Sequence, residues 1–138
     1  MEPSRYAQQN SDERLRVLIV DDDLSVRKIL YRILEQGGYA VLSACSGAEA
    51  LAICRRSSPP LDLLITDYNM PGMNGWEFLE EYNKLDKSLH NEVVIIMLTT
   101  SDSMEDRAKA KTWEFVSDYI KKPLNKQLME NILGKYFH

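Results

Sequence analysis

Five short apolar runs, separated by longer amphipathic or polar segments, constrain the fold of this chain more than any other feature. Two of them, "LLIT" and "VVIIML", are almost entirely apolar. Strands of that kind are typical of parallel sheets that are covered by helices on both faces. The runs predict strands at residues 16–20, 39–44, 61–66, 93–98 and 116–120.

The segments between these runs carry helical patterns. In the first segment, apolar residues recur at the spacing of one helix face, at Val26, Ile29, Leu30, Ile33 and Leu34. The second begins at Ser46, with Glu49 three residues later, which is the spacing of a capping box. The patterns predict helices at residues 24–36, 46–56, 75–85, 103–112 and 125–136. Five strands that alternate with five helices predict an α/β fold with a doubly wound parallel sheet.

Length and charge limit the classes of protein that this chain can be. Its 138 residues suit one domain with a core, and we expect a flexible arm at residues 1–14 before a domain at 15–138. A net charge of −4 without a basic stripe argues against a nucleic-acid-binding surface. The N-terminus lacks the apolar centre of a secretory signal, and no apolar run is long enough to span a bilayer. We therefore expect a cytoplasmic protein with Cys45 and Cys54 as reduced thiols.

Polar and charged side chains follow four of the predicted strands directly. Because ligands bind parallel sheets outside the carboxyl ends of the strands, these positions are candidates for a functional site. They are Asp21, Asp22 and Asp23 after the first strand, Asp67 after the third, Thr99 and Thr100 after the fourth, and Lys122 after the fifth. Three consecutive carboxylates at the edge of a core repel one another, so we expect a positive partner beside them.

Carboxylates, hydroxyls and one ammonium group at the same sheet edge suit phosphoryl transfer. Two or three carboxylates form an oxygen-rich site for Mg²⁺ or Mn²⁺. Asp67 comes before a glycine-containing loop that leaves room for a donor, and it is the candidate nucleophile that would form an aspartyl phosphate. Lys122 and the metal would neutralise the transferring group, and Thr99 could donate a hydrogen bond to it.

The chain from about residue 15 to its end resembles the receiver domain of bacterial two-component response regulators. "VLIVDDD" resembles the acidic-pair motif of that family, and "DYNMPGMNGWEFL" resembles its phospho-acceptor motif. "MLTTS" is similar to the switch-hydroxyl motif and "DYIKKPL" to the lysine-proline motif. The resemblance implies a flavodoxin-like (βα)5 three-layer sandwich with strand order 2-1-3-4-5. A chain of this length would be a single-domain member.

The resemblance also implies a chemistry for the site. A sensor histidine kinase or a histidine phosphotransfer protein would donate a phosphoryl group to Asp67 in a phosphorelay. The domain would catalyse only its own phosphorylation and dephosphorylation, so we do not expect an enzyme in the usual sense. The metal would be held by Asp22, Asp67 and the backbone carbonyl of Asn69, with Asp21 acting through water.

The resemblance further implies a switch. Lys122 would pair with the phosphoryl group, Thr99 would move toward it, and Tyr119 would swing inward. These movements would change the face formed by the fourth helix, the fifth strand and the fifth helix, which would then signal to an unknown downstream protein. The same face could also form a homodimer. We expect no contact of this chain with nucleic acid or membrane.

Four residues depart from the family pattern or have no fixed role in it. Thr100 stands where the family usually has alanine, and Phe115-Val116 stands where it commonly has Gly-Ala. The third acid, Asp23, has no fixed role in the family, and we interpret it as the N-cap of the first helix.

Two other functions remain open at this point. "VLIVDDDLS" also has the Asp-x-Asp-x-Ser pattern of a small phosphatase of the haloacid dehalogenase type, with Asp21 as nucleophile and Asp23 as general acid. That interpretation leaves Asp67 unexplained, and the chain has little room for a cap. The other alternative is a receiver-like scaffold that binds partners without being phosphorylated.

Overall fold

A computed structural model describes residues 14–56, 61–85, 93–99, 116–122 and 124–137 of the chain. Five parallel strands form one sheet in the order β2-β1-β3-β4-β5. The strands are β1 (Arg16–Val20), β2 (Ala40–Ala44), β3 (Leu63–Asp67), β4 (Val94–Thr99) and β5 (Asp118–Lys121). The doubly wound fold and the strand order are therefore confirmed.

Four helices lie among the described residues. They are α1 (Leu24–Gln36), α2 (Gly47–Arg56), α3 (Gly75–Asn83) and α4 (Lys126–Tyr136). The helix predicted at residues 103–112 lies outside the described residues, and so does nearly all of the predicted N-terminal arm. Within the part of the chain that the structure covers, no helix is both long and apolar enough to cross a membrane.

The helices cover both faces of the sheet, which gives three layers. On one face, α1 and α4 bury Leu30, Leu34, Met129, Ile132 and Leu133 against alternate strand residues. On the other face, α2 and α3 bury Leu51, Cys54, Trp76, Phe78 and Tyr82. Every residue of β3 is buried, because that strand lies at the centre of the sheet with a helix layer on each side.

Several element boundaries differ from the predicted ones by one or two residues. β3 and β4 each extend one residue further than predicted, so Asp67 and Thr99 are the last residues of their strands rather than the first residues after them. β5 begins at Asp118 instead of residue 116. α3 ends at Asn83 because the N–H groups of Lys84 and Leu85 bond to carbonyls three residues back, which closes the helix with a tighter turn.

Candidate phosphoryl-acceptor and metal site

The acidic turn after β1 is held from several sides. Asp21 is fully buried, and its backbone N–H donates to the carbonyl oxygen of Ala44 at the end of β2, 3.1 Å away. Its Oδ1 accepts a hydrogen bond of 2.9 Å from the backbone N–H of Asp23. Asp23 caps α1, as predicted, and its Oδ1 lies 2.8 Å from the backbone nitrogen of Ser25. Asp22 lies between the two and is exposed.

Asp67 is almost completely buried at the end of β3, with 3% of its surface exposed. Because Val20 and Thr66 are partners in the register of β1 and β3, the residues that follow them, Asp21 and Asp67, lie side by side. The N-terminus of α3 packs against this strand end. A Cβ atom at Gly75 would lie only 2.7 Å from the carbonyl oxygen of Asp67, so the position requires glycine.

Lys122 provides the positive partner that the acidic residues require. It follows β5 directly, and its backbone N–H donates to the carbonyl oxygen of Thr99 at 2.7 Å. Its Nζ lies 2.7 Å from Oδ2 of Asp21 and 3.2 Å from Oδ1 of Asp67. The side chain of Lys122 is 14% exposed, so both ion pairs are shielded from solvent and are screened little by salt.

Within the site, the pKa values of Asp67 and Lys122 are both raised, but for different reasons. Burial, together with the negative charge of Asp21, raises the pKa of Asp67 to about 6, although Lys122 and the backbone N–H of Asn69 oppose the shift. Burial alone would lower the pKa of Lys122, but its ion pairs with Asp21 and Asp67 outweigh that effect and raise it. The ammonium group therefore remains charged at neutral pH.

Three carboxylates lie close enough together to bind one metal ion. Asp21, Asp22 and Asp67 each offer an oxygen, and these oxygens all lie within 4.8 Å of one another. Oxygen-only donors, two of them from buried residues, suit a hard divalent cation such as Mg²⁺, which retains several waters. The donor set therefore fits the metal that was predicted. The backbone N–H of Asn69 faces the carboxylate of Asp67, while the metal-binding role of its carbonyl stays a prediction.

The two predicted switch residues lie at different depths. Thr99 ends β4, is fully buried, and is tied to Lys122 through its backbone carbonyl. Tyr119 lies within β5, is half-buried, and packs against the core layer formed by α2 and α3. The movements of both residues stay predictions. Thr100 and Phe115, where the sequence departs from the family pattern, lie outside the described residues.

Arg27 is a residue of the site that the sequence reasoning did not identify. Its Nη1 donates to the backbone carbonyl of Asp21 at 2.6 Å. An arginine in the first turn of a helix, where acidic residues are favoured, was a signal that the sequence offered. The signal is weak because it does not indicate which way so long a side chain turns.

Comparison with known proteins agrees with this geometry. A sequence model of the response regulator receiver domain matches residues 17–133. Protein PilH of Pseudomonas aeruginosa is 31% identical over 114 residues, which cover 83% of this chain and 90% of PilH. A probable transcriptional regulator, ycf27, of Porphyridium aerugineum is 35% identical over 118 residues, which cover 86% of this chain. The chain spans about half the length of that relative.

The fold is also shared with solved structures. The chemotaxis response regulator CheY4 of Vibrio cholerae is 32% identical, covers 90% of this chain with 99% of its own, and superposes with a TM-score of 0.79. A CheY-like receiver domain protein from Methanospirillum hungatei is also 32% identical, with a TM-score of 0.76 over 90% of this chain and 94% of its own. The chain therefore belongs to the family of response regulator receiver domains.

Proposed function

We propose that this chain accepts a phosphoryl group on Asp67 and passes the signal on through a changed surface. The observation that supports the proposal is the position of Asp67 at the centre of the sheet edge. Its Oδ1 lies 3.2 Å from the ammonium group of Lys122, and one of its carboxylate oxygens lies within 4.8 Å of oxygens of Asp21 and Asp22. A buried carboxylate between a cation and a metal site is arranged to receive an anionic group.

The proposed donor is the phosphohistidine of a sensor kinase or of a phosphotransfer protein. A carboxylate oxygen of Asp67 attacks phosphorus as the P–N bond to the donor breaks, and the released imidazole takes a proton from solvent. Since the pKa of Asp67 is about 6, its carboxyl group is ionised in most molecules at neutral pH, so no general base is required.

Lys122 and Asp21 work as a pair in this proposal. The ammonium group neutralises charge on the transferring phosphoryl oxygens, while Asp21 holds the ammonium in position through the 2.7 Å ion pair. Asp22, Asp67 and the backbone carbonyl of Asn69, with Asp21 acting through water, would hold a Mg²⁺ or Mn²⁺ ion, which would add positive charge to the site. The chain acts on itself in this reaction and turns over no other substrate.

The proposed output is a rearrangement around β5. Thr99 moves to donate a hydrogen bond to the phosphoryl group, and Tyr119 swings inward into the space that Thr99 leaves. The face that the resemblance assigns to the fourth helix, predicted at residues 103–112, together with β5 and α4, changes as a result, and a downstream protein or a second copy of the chain binds it. Sedimentation with and without a phosphoryl mimic tests whether the chain dimerises when it is phosphorylated. An unchanged mass would count against dimerisation.

The phosphatase alternative assigns the nucleophile to Asp21 instead. Both oxygens of that carboxylate already have partners, because Oδ1 accepts from the N–H of Asp23 and Oδ2 lies 2.7 Å from Lys122. Asp67 has comparable contacts with Lys122 and with the N–H of Asn69, so these contacts do not separate the two carboxylates. Membership of the receiver-domain family favours Asp67.

The mass of the intact protein after incubation with Mg²⁺ and a small acyl phosphate tests the proposal. The wild type should gain one phosphoryl group, EDTA should prevent the gain, and Asp67→Asn should show none. Asp23→Asn, which also removes one negative charge but keeps a good helix cap, should be modified like the wild type. A gain that persists in Asp67→Asn and disappears in Asp21→Asn would establish the phosphatase assignment, and a folded wild type without any gain would favour the scaffold.

A further inference from the structure

Arg27 is placed to control the geometry of the metal site without touching a metal ligand oxygen. Its guanidinium reaches back from the first turn of α1 to the backbone carbonyl of Asp21, at 2.6 Å. We propose that Arg27 is a positioning residue that fixes the peptide joining Asp21 to Asp22, and thereby the position of the Asp22 carboxylate. The inference rests on the proposed divalent-metal site.

The contact acts at the point where the acidic turn is least restrained. Asp21 is anchored upstream through its N–H to Ala44 and through its Oδ1 to Asp23. Asp22 is exposed and lies at the bend between them. The carbonyl that Arg27 holds belongs to the same planar peptide unit as the nitrogen of Asp22, so the guanidinium sets the direction in which Asp22 leaves the strand.

Arg27 and Lys122 use their charges differently. Lys122 pairs with carboxylate oxygens, which are the atoms that a metal would need. Arg27 donates to a backbone carbonyl instead, so it steadies the acidic turn and leaves the carboxylate oxygens available. A charge-assisted hydrogen bond of this kind is stronger than a neutral one.

The charge of Arg27 also acts on Glu49, in the first turn of α2. Glu49 accepts a hydrogen bond of 2.7 Å from the backbone N–H of Cys45, and its own N–H is capped by Ser46. Hydrogen bonds from Cys45 lower the pKa of Glu49, and the positive charge of Arg27 lowers it further. Arg27 therefore interacts with the turn after β1 through a hydrogen bond and with Glu49, in the first turn of α2, through its charge.

Two cations on the same helix provide matched controls. Lys28 and Arg32 line the same surface groove as Arg27 and are exposed. Removing any of the three cations makes the chain more negative by one charge. Simple electrostatics predicts that each loss tightens Mg²⁺ binding, whereas a positioning role predicts that loss of Arg27 alone weakens it.

The test is calorimetric titration of Mg²⁺ into the protein without a phosphodonor. We expect Arg27→Ala to raise the dissociation constant for Mg²⁺ about tenfold, as is common when the outer partner of a metal ligand is lost. Arg27→Lys, which keeps the charge and a donor, should recover part of the affinity, and Arg32→Ala should bind Mg²⁺ at least as tightly as the wild type. The phosphorylation rate of Arg27→Ala should return to the wild-type value at saturating Mg²⁺.

The outcomes separate this inference from the proposed function. A dissociation constant of Arg27→Ala equal to or below that of the wild type would overturn the positioning role, whether or not the protein is phosphorylated. Weaker Mg²⁺ binding by Arg27→Ala in a protein that gains no phosphoryl group would support the positioning role and overturn the function. If Arg27→Ala does not fold, Arg27→Lys takes its place in the test. The positioning role requires Arg27→Lys to bind Mg²⁺ more weakly than the wild type, and an equal affinity would overturn it.

Discussion

At the scale of single residues, the site is a compromise between burial and charge. Asp21 and Asp67 are both buried at neighbouring strand ends, and Lys122 offsets their repulsion only in part. Burial, followed by the negative charge of Asp21, raises the pKa of Asp67 despite the opposing charge of Lys122. Folding of the metal-free chain therefore works against the ionisation of its proposed phosphoryl acceptor.

Asp67→Asn should stabilise the metal-free protein at neutral pH. Because the folded-state pKa of about 6 lies above the ordinary value of 3.8, the fold loses stability as pH rises from about 4 to about 6, and the full loss is present above that range. The difference in the free energy of unfolding should be on the order of 2 to 3 kcal/mol at pH 7 and should shrink to nothing below about pH 4. Urea unfolding in EDTA at both pH values measures it. A variant no more stable than the wild type at pH 7 would contradict the argument, with Asp23→Asn as the charge control.

Lys122→Met should have the opposite effect. Without the ammonium group, two buried carboxylates face each other unpaired, which should lower the free energy of unfolding by roughly 2 to 4 kcal/mol at pH 7 in EDTA. The loss should be smaller at pH 5, because protonation of Asp67 removes the repulsion. Lys121→Met makes the same substitution at the neighbouring, exposed residue and should lower the free energy of unfolding far less. Equal losses in the two variants would rule out a special role for Lys122.

The sequence predicted the positions of these groups because parallel strands end at the same edge of the sheet. This prediction required no knowledge of side-chain conformation, because each of the three residues, Asp21, Asp67 and Lys122, lies within one residue of a strand end. Arg27 could not be predicted in the same way. Its role depends on the direction of a long flexible side chain, which local sequence does not specify.

At the scale of elements, the approach of α3 to β3 depends on one glycine. A Cβ atom at Gly75 would lie 2.7 Å from the carbonyl oxygen of Asp67 and 2.9 Å from the Cα of Tyr68, both of which belong to the backbone. Backbone atoms cannot move aside as a flexible side chain can. The capping box of Asn74 and Glu77 fixes the start of α3 at the same place.

Gly75→Ala should therefore displace α3 and lower both stability and Mg²⁺ affinity. Gly134→Ala, in α4, is the control, because a Cβ atom there meets nothing within 4 Å. Alanine has the higher helix propensity, so that variant should be more stable by up to about 1 kcal/mol. Thermal unfolding of both variants checks the pair. A Gly75→Ala protein as stable as the wild type would show that the elements are not as closely packed as described.

Element boundaries were predicted less well than element types. The ends of β3 and β4 were each placed one residue too early, because a strand that continues into the site includes the polar residues Asp67 and Thr99. Hydrophobic pattern alone treats such residues as loop. Pairing with the neighbouring strand extends the ladder past the last apolar residue.

At the scale of the whole molecule, apolar periodicity predicted the strands but not which strands are neighbours. The order came from the resemblance to a family, and the central position of β3 then follows. That position explains why β3 is buried throughout while β2, at an edge, exposes Leu42 and Ser43. The site lies at the end of the most deeply buried strands.

The two cysteines should report on the integrity of this core. Cys54 is buried between α2 and the sheet, and burial raises the pKa of its thiol to about 11, whereas Cys45 is exposed. Because the thiolate is the reactive form, alkylation at pH 8 should modify Cys45 quickly and Cys54 only when the fold opens. Mass spectrometry of a Cys45→Ser variant with and without urea measures the second rate. Rapid modification of Cys54 in the native protein would contradict the described core.

The central claim is that Asp67 receives the phosphoryl group, and the most direct measurement locates that group in the chain. The protein is incubated with Mg²⁺ and an acyl phosphate, the aspartyl phosphate is trapped by borohydride reduction, and the reduced residue is identified by peptide mass spectrometry. We predict reduction at Asp67 alone, and none in samples that contain EDTA. Reduction at Asp21 or Asp22, with Asp67 unmodified, would contradict the account.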